Sequence, residues 1–96
     1  MLLSDWASGL IDRVVDAADR EEMRARFADL DEAVFHREDP NRMVSAIVLN
    51  RLQGHSMKLI FEEVRWDYRD TLWGSGVDDR DWREVMNERF GYAPPE

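Results

Sequence analysis

Residues Asp39 to Gly54 read D-P-N-R-M-V-S-A-I-V-L-N-R-L-Q-G, a helix with both of its ends written in. Asp39 is a side-chain cap for the first free N–H groups, and Pro40 suits a first turn, whose N–H has no intrahelical use. Gly54 accepts the left-handed backbone that terminates a helix. At about 100° per residue, Met43, Val44, Ile47, Val48, Leu49 and Leu52 spread over most of the circumference, leaving a polar window at Arg42, Asn50 and Gln53. A helix apolar on most sides has to be surrounded. The stretch therefore predicts a central helix over 40–53, in an all-α domain built as a small orthogonal bundle of about five helices.

The flanks supply the helices that surround it. Ser4 or Asp5 opens a first helix with Trp6, Leu10, Ile11, Val14, Val15 and Ala18 on one half and acids on the other. A second, over about 20–38, places Met23, Phe27, Leu30 and Val34 on a narrow stripe. Run together as one helix, the two stripes would point almost oppositely. A break is therefore expected near residues 18–20, with Asp19 as the cap. Ser56 caps a fourth helix, whose Met57, Ile60, Phe61, Val64, Tyr68 and Leu72 share a face and which ends near Trp73, because G-S-G-V follows. Val77 and Trp82 stand as a hydrophobic staple around an Asp78 cap, opening a fifth helix with Trp82, Val85, Met86 and Phe90 inward and Gly91 at its end. Residues 1–91 thus read as one helical domain and 92–96, with Pro94 and Pro95, as a short C-terminal tail.

The 96 residues leave room for one domain and at most one site. There is no cysteine, hence no disulfide framework and no thiolate zinc site. No apolar run approaches the ~20 residues that span a bilayer, and M-L-L-S-D-W lacks the basic start and apolar core of a signal peptide; the expectation is a cytoplasmic protein with no membrane partner. Lys58 is the only lysine among 13 basic residues, an arginine bias that accompanies GC-rich coding and hints at a bacterium or its phage.

Net charge is −8, which sets the chain against nucleic acid and anionic membranes. The basic part is central: residues 40–61 carry three bases and no acid, whereas both flanks are acid-rich. Arg42, Arg51 and Lys58 either face acids on the flanking helices or form a small anion-binding patch.

Motifs for chemistry are scarce. Asp29, Glu32 and His36 use metal-ligand residue types without the Glu-x-x-His spacing of a di-iron bundle. His36 and His55 stand beside no motif-placed nucleophile, and neither G-x-x-x-x-G-K-S/T nor G-x-G-x-x-G occurs. A helix-turn-helix around Gly54 would put Glu62, Glu63, Asp67 and Asp70 on its recognition helix, where phosphates repel them. No catalytic residue, metal or cofactor is expected, and no family motif is recognised.

The least ordinary feature is the back of the fourth helix. Leu59, Trp66 and Trp73 recur every seven residues, opposite the Met57 and Phe61 face, with Glu62, Arg69 and Asp70 beside them. An aromatic centre with a charged rim is the composition of an interaction surface, although the stripe would also serve as core in a sandwiched helix. The sequence therefore reads as a non-catalytic protein-interaction module that binds a protein partner, foremost itself, through Leu59, Glu62, Trp66, Arg69 and Trp73. A second reading is a small acidic antagonist, antitoxin-like or a nucleic-acid mimic, on a basic protein surface.

Overall fold

Eight consecutive residues, Met43 to Asn50, are buried in one helix, and the other helices are arranged around it. The computed structural model describes residues 3–30, 40–68 and 81–95, with backbone only at 65–68. Five helices lie among the described residues: α1 (Asp5–Val14), α2 (Ala17–Asp29), α3 (Pro40–Leu52), α4 (Met57–Tyr68) and α5 (Trp82–Phe90). No strand occurs among those residues. The protein is an all-helical bundle, and the principal helix contacts are those of α3 with α1, α4 and α5.

Pro40 opens α3 as expected and Gly54, at φ +95°, follows its end. The expected polar window is narrower than the sequence suggests. Asn50 is fully buried, and its Nδ2 donates to the Ala46 carbonyl at 2.8 Å, which offsets part of the cost of burying the amide. Ser45 does the same, its hydroxyl donating to the Asn41 carbonyl at 2.7 Å. Leu52 errs the other way: it is 50% exposed, having run past the last turn that the neighbours cover.

Ser4 caps α1, accepting from the Ala7 N–H at 3.1 Å while its own hydroxyl donates to Asn41 on α3 at 2.6 Å. The break before α2 falls at Val15 and Asp16, earlier than residues 18–20, and the cap is Asp16, not Asp19. Asp16 accepts from the Asp19 N–H at 3.0 Å. With the register reset there, Ala18 lands on the outer face and is exposed, contrary to the sequence expectation. Arginines fasten the joint: Arg20 donates to the Val15 and Asp12 carbonyls at 2.7 and 3.0 Å, and Arg24 to Ser8 and the Asp12 carboxylate. Cations at the carbonyl end of α1 satisfy its orphan acceptors. Met23, Phe27 and Leu30 of the expected stripe are buried; Val34 lies outside the described residues.

Ser56 caps α4, accepting from the Leu59 N–H at 3.2 Å, and Met57, Ile60, Phe61 and Val64 are buried. Phe61 meets Phe27 edge-on at 5.1 Å between centroids. The helix α5 starts at Trp82 behind an Asp81 cap, later than the Asp78 cap that the sequence suggests; Val77 and Asp78 lie outside the described residues. Trp82, Val85 and Met86 are buried and Phe90 half-buried, and Gly91 at φ +61° closes the helix.

The tail then turns back onto α1. Tyr92 stacks on Trp6 at 5.4 Å and 11°, its ring lies 4.4 Å from the Arg13 guanidinium, and its hydroxyl donates to the Trp6 carbonyl at 3.1 Å. Trp6 also meets Trp82 edge-on at 6.1 Å. Pro94 is buried. Gly9, one turn from Trp6, makes the room: a Cβ there would collide with the Tyr92 hydroxyl.

On an open helix Gly→Ala adds about 1 kcal/mol of stability. Gly9→Ala will instead lower it, by about 1–2 kcal/mol, since the ring held by Trp6 and Arg13 has to move. In a Tyr92→Ala background the same change will stabilise. Urea unfolding of the four proteins reads the reversal of sign; stabilisation in both backgrounds would mean that the tail does not dock.

Candidate functional site

Two surfaces carry the residues that sequence reasoning singled out, the outer face of α4 and the end of α3. On α4, the core side is fixed by Met57, Ile60, Phe61 and Val64, and Leu59 emerges between them on the other side, 55% exposed. Glu62, one turn further, is exposed as well. The helix runs unbroken to Tyr68, so the backbone carries Trp66 two turns beyond Leu59. Arg69, Asp70 and Trp73 lie outside the described residues. Leu59 is therefore surface, whereas its Met57 and Ile60 neighbours are core.

The three central cations do not converge. Arg42 and Arg51 are nine residues apart in an unbroken helix, about 13.5 Å along the axis and about half a turn around it. Arg42 is half-buried in the first turn of α3, and Lys58 is exposed on α4. Arg51 faces an acid on a flanking helix. Its Nε and Nη2 donate to the two carboxylate oxygens of Asp19 at 2.8 and 3.1 Å, and its Nη1 to the His55 carbonyl at 3.0 Å. The planar guanidinium fork fits a carboxylate in this two-point manner. The hydrogen bond to Asp19 holds the Arg51 guanidinium above its ordinary pKa; desolvation opposes this, and the charges of Asp19, Asp16 and Glu22 add to it.

Beside this pair the surface opens into a cleft of about 350 Å³. The α1–α2 joint forms one wall with Val14, Val15 and Asp16, Asp19 and Arg51 form the polar part, and Leu52 and Gly54 close the end of α3. The sequence held the parts, a cap acid and one of the two central arginines, but the cleft depends on the position of the joint, which periodicity places a few residues too late.

Among the described residues no three His, Asp or Glu side chains gather as metal ligands, and Glu32 and His36 lie outside them. No helix among the described residues is long and apolar enough to cross a membrane. Comparison with protein-family models, curated proteins and solved structures finds no match to the chain.

The Asp19 and Arg51 side chains are 22% and 30% exposed, so their pairing is partly shielded from water. A double-mutant cycle with Asp19→Asn and Arg51→Met will give a coupling of about 0.5–1 kcal/mol at low ionic strength, weakening as salt is added. A coupling indistinguishable from zero at low salt would remove the pair as the tie between α2 and α3.

Proposed function

We propose that the protein is a non-catalytic interaction module whose first partner is a second copy of itself, joined through the outer face of α4. The observation that carries this reading is Leu59, a large apolar side chain 55% exposed on a helix whose opposite side is buried. The sequence continues that position with Trp66 seven residues on, and Glu62 lies between them. Association would bury leucine and tryptophan, each tryptophan hiding about 150–250 Å² of mostly apolar surface, with charged neighbours setting orientation. The reading takes the cytoplasm as the location of this cysteine-free chain and includes no nucleic-acid or membrane partner.

The acidic-antagonist reading has less support. A charge-driven inhibitor needs an array of one sign, yet Asp12 pairs with Arg24, Glu22 with Arg26 and Asp19 with Arg51. Net charge alone does not make such an array.

Absolute mass by light scattering on a sizing column, with circular dichroism alongside, tests the proposal. The wild type is expected to be a dimer or larger at micromolar concentration, and Leu59→Glu with Trp66→Glu a folded monomer. Leu59→Glu alone, at an exposed position, will weaken association without loss of helix. A monomeric wild type would overturn the reading.

A further inference from the structure

The cleft beside Asp19 and Arg51 plays no part in the α4 surface, and its chemistry selects a ligand of its own. We propose that it binds a basic side chain, arginine or lysine, presented by a protein partner, with the aliphatic stem against Val14 and Leu52 and the cationic head beside Asp16. Its volume of about 350 Å³ lies in the range of small-ligand sites.

Charge decides the sign of the ligand. Arg51 is already matched by Asp19, so the pair is close to neutral. Asp16 remains. One of its oxygens takes the Asp19 N–H at 3.0 Å, and no cation pairs with it among the described residues. Asp16 and Glu22 both add to the negative field in which Arg51 sits. Arg20, one turn along α2 from Asp16, has its guanidinium committed to the Val15 and Asp12 carbonyls and does not line the cleft. An incoming carboxylate would have to displace Asp19 and face Asp16; an incoming cation displaces nothing and, although Arg51 stands in the same cleft, the two acids and one arginine that line it leave a net negative charge.

Apolar lining decides its shape. Leu52 is half exposed at the end of α3 and Val14 half-buried at the end of α1, so the charged corner adjoins apolar surface. Long basic side chains have this division, an apolar stem that covers hydrophobic surface and a polar head that keeps its hydration. A compact metal ion or a small ammonium would leave Leu52 and Val14 uncovered.

The test uses the ¹⁵N-labelled full chain, titrated with acetyl-Ala-Arg-Ala-amide and with the same peptide carrying citrulline, which keeps the shape and loses the charge. Arginine peptide should shift amides in 14–19 and 51–54 with a saturable affinity on the order of millimolar, and citrulline should bind about fivefold more weakly or worse. Asp16→Asn keeps a good helix cap while removing the charge, so dichroism should be unchanged and arginine binding should fall about fivefold. Leu52→Ser, at an exposed position, should also weaken it. Equal binding of citrulline, full binding by Asp16→Asn, or no saturable shift would each overturn the proposal, as would preferred binding of acetyl-Ala-Glu-Ala-amide.

Discussion

Complete burial of α3 from Met43 to Asn50 is the constraint on which the bundle depends. Each buried Val, Ile, Leu or Met contributes about 1.5–3 kcal/mol relative to exposure, and a stretch holding Met43, Val44, Ile47, Val48 and Leu49 accounts for a stabilisation on the scale of a whole domain's net stability. The two polar members reduce their own burial cost, because Ser45 and Asn50 donate hydrogen bonds to carbonyls of the same helix one turn earlier. A helix buried in this way has no free side to show solvent, so α1, α4 and α5 are obliged to cover it and their outer faces become the molecule's surface.

The joints between those helices are of another kind. Arg20, Arg24 and Arg51 each bind at least two acceptors on a neighbouring segment, and the rings of Tyr92 and Trp82 lie beside Arg13 and Arg83. A planar fork with several donors suits such joints better than the point charge of lysine does, which gives the arginine bias a structural use whatever its origin in coding. Local pairing leaves the acidic excess unchanged but breaks up its sign across the surface. The chain carries a net charge of −8, yet its described acids on α1 and α2 repeatedly meet arginine, and the field at the surface is patchwork.

How much of this was legible follows from which signals are local. Caps and hydrophobic periods are local, and Ser4, Pro40, Gly54, Ser56 and Gly91 mark helix ends in the structure as their chemistry predicts. Competing caps are harder to rank: Asp16 and Asp19 are both good caps, and Asp19, which does not cap, pairs instead with Arg51, thirty-two residues away. Asn50 departs from its expected exposure for a related reason, since a side chain that bonds its own helix can be buried although its composition is polar. For Arg42, Arg51 and Lys58 the sequence leaves open whether they face acids or form a patch, since that depends on tertiary placement: Arg51 faces Asp19 on a flanking helix, and helix geometry sends the two arginines to opposite ends and sides of α3. Tyr92 looked like tail because Pro94 and Pro95 forbid helix there, and nothing in the local pattern announces that Gly9 has left a notch for its ring.

The two candidate surfaces differ in what holds them open. Leu59 is exposed because the other side of α4 is committed to the core: withdrawing it would mean turning Ile60, Phe61 and Val64 into water, at a cost far above what one leucine gains. Its exposure is thus a property of the fold, and contact with it responds to buried area more than to salt. The cleft is instead bounded by a joint whose parts meet through the Asp19–Arg51 pair, and its attraction is for charge. Ionic strength acts on the second far more than on the first, because a Debye length of about 8 Å at physiological salt screens exposed charges and leaves apolar burial intact. A partner engaging both would be anchored by one and selected by the other, which is how apolar centres and charged rims divide affinity from specificity in protein interfaces.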